Sequence, residues 1–168
     1  MLNTYLRNKE FKFSDEAIHL FFSANRWEMK EQILRDLESG VTLVCDRYAF
    51  SGVAYSAAKV SLLGYIFFDL KGLDFDWCKN PDIGLVKPDL TFYIDADPEE
   101  IQKRSNYGEE RYEKVEFQKR VQMAYGKFKE LARDDSHWVT VEANNKNVDE
   151  IHAEILERFV SYYYESAS

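Results

Sequence analysis

The sequence predicts an α/β fold in which helices cover both faces of a parallel β-sheet. The alternation of two kinds of segment supports this prediction. Short apolar segments, typical of buried strands, alternate along the chain with longer segments whose apolar residues recur every three or four positions. Right-handed connections between parallel strands place the intervening helices on both faces of the sheet, so we expect a three-layer sandwich. A length of 168 residues fits a single domain spanning 1–168.

The first predicted helix runs from about 15 to 38. Ser14 or Asp15 is a suitable N-cap, and Gly40 follows the last residue of the apolar pattern. Small residues dominate the segment 51–59, which suits a second helix packed closely against its neighbours.

Three further helices are predicted in the second half of the chain. Asp97 followed by Pro98 is a strong signal for the start of the first of them. The other two are amphipathic, since their apolar residues recur at helical spacing. These residues are Phe117, Val121, Ala124, Phe128 and Leu131 in one helix, and Ile151, Ile155, Leu156 and Phe159 in the other.

Three short apolar segments are predicted as buried strands: 41–45, 90–94 and 138–142. The first contains Cys45, which we therefore expect to be a buried structural thiol. Residues 60–73 are strongly apolar but show no clear period, so an extra strand, a short helix and a loop all remain open. The prolines within 80–89 indicate turns.

The composition excludes several classes of protein. The chain carries 22 Lys and Arg against 30 Asp and Glu, a net charge of −8, which argues against a surface built for nucleic acid but allows a site for one small phosphate. The hydrophobic content of 45% is too high for a disordered chain. No apolar run reaches the roughly 20 residues that span a bilayer, and the start of the chain does not resemble a signal peptide. We therefore expect an intracellular protein without nucleic-acid or membrane partners, in the cytoplasm, with nuclear and mitochondrial pools as alternatives.

Asp46 and Arg47 directly follow the first predicted strand. Ligands of parallel α/β folds bind beyond the carboxyl ends of the strands, and Asp95 follows the second predicted strand in the same way. A carboxylate in this position can hold Mg²⁺ or its water shell, and an adjacent guanidinium can bind a phosphate with two hydrogen bonds. The alternative is an ordinary surface turn, because strands often end in Asp.

Phe22 and Arg26 are four residues apart on the first predicted helix and therefore share a face. The pair combines a ring able to stack on a nucleobase with a cation able to hold a phosphate or a carbonyl group. The alternative is a core phenylalanine beside an arginine that extends to solvent.

The charged segment 104–113 lies between two predicted helices and contains one glycine. Such a loop can close over a substrate as a lid, with Arg111 meeting a transferred phosphoryl group and Tyr112 bracing a sugar. The alternative is a solvated connection between helices. The three histidines share no spacing, so neither a metal cluster nor a Ser-His-Asp arrangement is predicted; they are His19, His137 and His152.

Taken together, these segments resemble the thymidylate kinase family, and its eukaryotic members most closely. The resemblance covers about 14–160 and rests on FSANRWE at 22–28, DRYAFSGVA at 46–54, the stretch 76–89 and ERYE at 110–113. It implies a P-loop-kinase-like fold. It also implies transfer of the γ-phosphoryl group of ATP to dTMP, which gives ADP and dTDP for dTTP biosynthesis, with Mg²⁺ as cofactor and commonly a homodimer.

The resemblance implies roles for five residues on the thymine and sugar of dTMP. Phe22 would stack on thymine and Arg26 would hold its edge. Ser51 and Gly52 would line the base pocket. Tyr55 matches the position where the family places an aromatic residue near the sugar, excluding a ribose hydroxyl.

Five other residues are implied on the phosphate side. Asp46 would organise Mg²⁺ and its waters, and Arg47 would contact the dTMP phosphate. Arg111 would meet the transferred phosphoryl group, and Tyr112 would close on the nucleotide from the lid. Arg104 lies where a lid residue packs near the adenine of ATP.

The sequence departs from the family pattern in two places. It contains no glycine-rich loop of the form G-x-x-x-x-G-K-S/T, which cradles the phosphates of ATP, and the family pattern implies about 45–50 further N-terminal residues that hold it. Residues 60–73 also look like additional sequence. We therefore expect that the 168-residue chain alone is inactive or nearly so, and poorly stable.

Three alternatives to an active thymidylate kinase stay open. The first is a catalytically inactive, truncated isoform that retains only the dTMP-binding side or a dimer surface. The second is a kinase for another monophosphate, such as UMP or CMP. The third is an α/β module unrelated to nucleotides, which would require the motif matches to be coincidental.

Overall fold

A computed structural model describes residues 5–6, 10, 13–59, 72–102, 114–132 and 137–166. Among the described residues, three helices precede the first strand, and from that strand onward helices and strands alternate as the sequence predicts. In chain order they form α1 (Asp15–Glu38), α2 (Ala49–Ala57), α3 (Phe75–Lys79), a 3-10 turn (Asn80–Asp82), β1 (Thr91–Asp95), α4 (Pro98–Gln102), α5 (Val115–Leu131), β2 (Trp138–Glu142) and α6 (Val148–Ser166).

The long helix α1 has the bounds expected from its sequence. Ser14 is its N-cap, since its side-chain oxygen accepts a hydrogen bond from the backbone N–H of Ala17 at 3.2 Å. The buried residues of α1 are Ile18, His19 and Ser23. The helix packs against α2 and against the 3-10 turn, and these two contacts position the site described below.

The described sheet consists of two parallel strands, β1 and β2. Thr91 is opposite Trp138, and Asp95 is opposite Glu142. Parallel strands need a long crossover, and α4 and α5 lie within this one. The predictions of strands at 90–94 and 138–142 are confirmed, the first with a shift of one residue. The first is less buried than predicted, because Ile94 is 49% exposed.

The prediction of a buried strand at 41–45 is wrong for the described structure. This segment pairs with neither β1 nor β2, and Val44 is 94% exposed. A short apolar run indicates a strand only where neighbouring segments cover it, and none of the described residues covers Val44. Cys45 is therefore exposed, contrary to prediction, whereas Cys78 is buried.

The described core lies where α2 packs against α5 and α3. Its two clusters of buried residues are Ala54, Ala58, Phe117, Val121 and Ala124 in one, and Val53, Cys78 and Phe128 in the other. The small residues of α2 let the backbones of these helices approach closely, as the sequence predicts.

The apolar spacing of α5 identifies its buried face correctly except at its last residue. Phe117, Val121, Ala124 and Phe128 are buried, but Leu131 is 70% exposed. Leu131 ends the helix, and the described residues that cover the rest of this face do not extend over it.

Phe75–Lys79 form a short helix that the sequence analysis did not predict. Asp74 is its N-cap and accepts a hydrogen bond from the backbone N–H of Trp77 at 2.7 Å. Five residues are too few to show a helical period. The 3-10 turn follows at once and contains Pro81, where a turn was expected. Residues 60–71 lie outside the described structure, so the three readings of 60–73 remain open.

None of the described helices is long and apolar enough to cross a membrane.

Candidate functional site

The guanidinium of Arg26, on α1, is bound to the carboxylate of Asp82, at the end of the 3-10 turn. The Arg26 Nε donates to Oδ1 at 3.1 Å, and Nη2 donates to Oδ1 at 2.9 Å and to Oδ2 at 2.7 Å. The two side chains are only 12% and 6% exposed. Because three hydrogen bonds join the two groups, they fix the plane of the guanidinium as well as its position.

Two other side chains of α1 hold the 3-10 turn in place. The hydroxyl of Ser23 lies 2.7 Å from Oδ1 of Asp82 and 3.0 Å from the carbonyl oxygen of Pro81. The Nε1 of Trp27 donates to the same carbonyl at 2.6 Å. Gly84, with φ of +98°, leaves room for the Trp27 ring, which would lie 3.2 Å from a Cβ at that position. These contacts between α1 and the 3-10 turn thus fix the location of Asp82.

Gly52 of α2 lies directly against the Arg26 guanidinium. A Cβ at Gly52 would lie 2.9 Å from Nη2, 3.0 Å from Nη1 and 3.2 Å from Cζ of Arg26. These distances are shorter than ordinary van der Waals contact, so a side chain at position 52 would displace the guanidinium. Arg26 and Gly52, both predicted for the base pocket, are therefore neighbours in the structure.

Arg47 lies in the turn before α2 and has φ of 64°, a left-handed conformation that is uncommon for residues other than glycine. Its Nε donates to Oγ of Ser51 at 3.0 Å, and its guanidinium carbon lies 4.3 Å from the centre of the Tyr55 ring. The first turn of α2 contains no acidic residue. A cation beside a helix N-terminus forms an electropositive region suited to an anion.

Two tyrosines that the sequence analysis missed adjoin these residues. Burial raises the pKa of Tyr125, on α5, and a hydrogen bond with Ser51 partly offsets this rise. The hydroxyl of Tyr48 is buried and has no hydrogen-bond partner among the described residues. Burial also raises the pKa of Tyr48, with smaller rises from Cys45 and Asp82, while the charge of Arg26 lowers it. Both tyrosines are therefore neutral hydroxyl donors at neutral pH.

Phe22 lies one turn before Arg26 on α1 and is half-buried. No aromatic ring or cation of the described residues contacts its ring. Because Phe22 and Arg26 are four residues apart on α1, the two side chains lie on the same face of this helix.

Asp46 is exposed in the turn that it shares with Arg47. Within the described ranges, no group of three His, Cys, Asp or Glu residues could hold a metal ion. A single carboxylate still fits Mg²⁺, because this ion is usually bound by one or two carboxylates together with water and substrate phosphates. Asp46 therefore fits an Mg²⁺ ion that is bound together with a phosphate ligand.

Asp95, the other acidic residue noted beyond a predicted strand, has partners within the fold. Its Oδ1 accepts hydrogen bonds from Gln122 Nε2 at 2.8 Å and from the Tyr93 hydroxyl at 3.3 Å. Burial, followed by the charge of Asp95, raises the pKa of Tyr93.

The predicted lid lies outside the described residues. The structure therefore places none of its three candidate residues, Arg104, Arg111 and Tyr112.

His19, for which the sequence suggested no role, connects three helices behind the site. Its Nε2 lies 2.9 Å from the carbonyl oxygen of Cys78, and its Nδ1 lies 2.8 Å from Oγ of Ser56. A carbonyl only accepts, so Nε2 carries the hydrogen and Nδ1 accepts from the Ser56 hydroxyl. The side chain is 1% exposed, and burial lowers its pKa.

Asp82 is the site residue that the sequence was least able to identify. No periodicity relates position 82 to position 26, and an acidic residue after Pro81 is typical of an ordinary turn. Tyr125 carried a usable signal, since it lies four residues after Val121 in the apolar pattern of α5.

Comparison with known proteins gives a consistent result. The model of the thymidylate kinase family matches residues 1–155. The thymidylate kinase of Dictyostelium discoideum is 44% identical over 163 residues, which cover 97% of this chain and 65% of that protein. The human thymidylate kinase is 41% identical over 156 residues, which cover 92% of this chain and 66% of that protein. The chain thus spans about two thirds of the length of these curated relatives.

The fold agrees with these sequence matches. The solved structure of thymidylate kinase from Candida albicans superimposes with a TM-score of 0.80 at 37% identity, covering 95% of this chain and 72% of that one. The chain has the mixed α/β fold of the P-loop kinases, and it belongs to the thymidylate kinase family.

Proposed function

We propose that this chain binds dTMP and serves as a thymidylate kinase, which transfers the γ-phosphoryl group of ATP to dTMP in dTTP biosynthesis. One observation carries the proposal: at the start of α2, Gly52 lies against the Arg26 guanidinium of α1, while its neighbour Ser51 accepts a hydrogen bond from Arg47. Two fixed guanidinium groups, one beside a helix N-terminus and one beside a half-buried ring, suit a ligand with a phosphate at one end and a base at the other.

The described residues divide naturally between the two ends of dTMP. Arg47 and the N-terminus of α2 bind the phosphate, because both are electropositive. Phe22 stacks on thymine and Arg26 donates to its edge. Tyr55, held by Arg47, lies beside the sugar, and the lack of a side chain at Gly52 leaves room for Arg26. Ser51 fixes the Arg47 guanidinium through the bond to Nε.

The ATP side of the proposal rests on Asp46 and on the lid. Asp46 would hold Mg²⁺, and the ion would neutralise the charge of the reacting phosphates. By resemblance to the family, Arg111 would stabilise the transferred phosphoryl group, Tyr112 would close over the nucleotide, and Arg104 would lie near the adenine. In this reaction the protein contributes positioning and electrostatic stabilisation, without a covalent intermediate.

The proposal also includes a cytoplasmic homodimer without nucleic-acid or membrane partners. The net charge of −8 supports the absence of a nucleic-acid partner. α1, with Leu20 at 46% and Met29 at 49% exposure, is a candidate dimer surface together with α2.

A second candidate function is binding of dTMP without turnover. The observation that favours it is that the interconnected residues of the described site, Arg26, Gly52, Ser51 and Arg47, all belong to the dTMP side of the proposal. In that case the dTMP side of the site is retained as a binding or regulatory element.

Calorimetric titration with dTMP and with ATP, combined with a coupled assay for ADP, separates these functions. The kinase predicts binding of dTMP and dTMP-dependent formation of ADP; the second function predicts dTMP binding alone. Arg47→Ala should weaken dTMP binding by about tenfold or more, since it removes charge-assisted bonds to the phosphate. Arg35→Ala is the matched control, because Arg35 is an exposed residue of α1 that bonds to Gln32. No binding of dTMP by the wild-type chain would contradict both functions.

A further inference from the structure

We propose that Asp82 is a positioning residue for base recognition: it fixes the Arg26 guanidinium so that its Nη1 edge faces the nucleobase and favours a keto oxygen over an amino group. The inference rests on the proposed function, since it concerns the base of the bound monophosphate. Neither the family pattern nor the spacing of the sequence assigned a role to Asp82.

The carboxylate of Asp82 accepts hydrogen bonds from two of the three guanidinium nitrogens of Arg26. Nε and Nη2 make all three of the hydrogen bonds described above, at 2.7–3.1 Å. The carboxylate is 6% exposed, so water competes little for these bonds. Arg26 therefore cannot rotate about its long axis without breaking a buried ion pair.

The third nitrogen is left for a ligand. No acceptor for Nη1 is found among the described residues. Nη1 lies against Gly52, where a Cβ would be 3.0 Å away, so the backbone of α2 limits the guanidinium on one face. Asp82 at the edge and Gly52 at the face together leave one orientation.

Ser23 supports Asp82 from the same helix. Its hydroxyl reaches both Oδ1 of Asp82 at 2.7 Å and the carbonyl oxygen of Pro81 at 3.0 Å. Ser23 is 2% exposed, and it lies one turn before Arg26 on α1. The carboxylate is thus held by two α1 residues, of which only Arg26 reaches the base.

The chemistry of arginine makes this orientation selective. A guanidinium only donates hydrogen bonds. A pyrimidine with a keto oxygen at position 4 accepts from Nη1, whereas one with an amino group there places donor against donor. A site with a fixed donor rejects such a base because buried polar groups remain unpaired. A guanidinium that is free to turn would lose this selectivity.

The test is the affinity of Asp82→Asn for dTMP and for dCMP, measured by calorimetry and competition. The amide retains one acceptor but places an NH₂ donor against Nη2, so the guanidinium turns away from its native plane. We expect dTMP affinity to fall by about tenfold and dCMP affinity to stay unchanged, which lowers the ratio of the two affinities. Asp76→Asn is the matched control, since Asp76 is 83% exposed and pairs with Lys79 at the surface.

If Asp82→Asn shows no cooperative thermal transition and is therefore not folded, the same measurements are made on Ser23→Ala. The Ser23→Ala substitution removes one hydrogen bond to Oδ1 of Asp82 and should lower the ratio of dTMP to dCMP affinity by a smaller factor. An equal loss of dTMP and dCMP affinity in the folded variant would show a merely structural role and overturn the inference, as would an unchanged ratio. Failure of the wild-type chain to bind dTMP would instead contradict the proposed function, before any variant is compared.

Discussion

At the scale of single residues, the candidate site depends on where side chains are missing as much as on where they are present. Gly52 has a negative φ and is not required by backbone geometry, since positive φ among the described glycines occurs at Gly40 and Gly84. The absence of a side chain at Gly52 leaves space for the Arg26 guanidinium. A methyl group at position 52 would therefore have two separate effects, one on the stability of α2 and one on the position of the Arg26 guanidinium.

Gly52→Ala should have opposite effects on stability and on binding. Alanine favours the helix by up to about 1 kcal/mol relative to glycine. The new Cβ would displace the Arg26 guanidinium, so dTMP affinity should fall severalfold even where the thermal midpoint stays level or rises. Calorimetry and thermal unfolding on one preparation measure both effects.

Gly126→Ala provides the control for this experiment. Gly126 lies within α5, and a Cβ there would meet no atom within 4 Å. The same helix-forming gain is expected without a loss of dTMP binding. If Gly52→Ala behaved like Gly126→Ala, Gly52 would not be a spacer for Arg26.

His19 makes the stability of the fold depend on pH. Burial lowers its pKa below 6.5, so the folded chain binds fewer protons than the unfolded chain. Arg26 and Lys59 also lower this pKa, while the Cys78 carbonyl and Asp82 act in the opposite direction. The stability that neutral His19 contributes is present above pH 6.5 and is lost as the pH falls towards its folded-state pKa.

We therefore expect the free energy of unfolding in urea to decrease from pH 7.5 to 5.5, by at most about 1.4 kcal/mol per pH unit for this group. His19→Gln should flatten the dependence, and the exposed His152 supplies the control variant His152→Gln. An equal slope in wild type and His19→Gln would show that other groups titrate in this range.

At the scale of elements, local signals predicted most of the described helices and failed where neighbours decide the outcome. The cap at Ser14 and the Asp97-Pro98 signal are local, and both helix starts are confirmed. The apolar run 41–45 has the composition of a buried strand, but its burial depends on segments elsewhere. The same reason explains why Leu131 fits the periodicity of α5 and is nevertheless exposed.

This difference along α5 can be measured. Phe128→Ala should lower the free energy of unfolding by about 3–5 kcal/mol, because Phe128 is buried among Phe50, Phe75 and Trp138. Leu131→Ala should change it by less than about 0.5 kcal/mol, since Leu131 is 70% exposed. Urea titrations of the two variants test the assignment, and comparable losses would mean that the two residues are buried alike.

At the scale of the whole molecule, the sequence predicted the class of fold and supplied the residues of the candidate site, but not the contacts between them. Phe22, Arg26, Arg47, Ser51, Gly52 and Tyr55 were identified by resemblance, and the structure places Arg26 against Gly52 and Arg47 against Ser51 and Tyr55. The link through Asp82 joins positions 56 residues apart in the chain. The spacing of residues along the chain cannot predict this contact, because it is created by the packing of the 3-10 turn on α1.

The parallel pairing of β1 and β2 also bears on how the chain folds. Thr91 meets Trp138, 47 positions later, so the strands close a large loop before their first inter-strand bond can form. The helices between them need only local contacts. The helices are therefore expected to form before the sheet during folding.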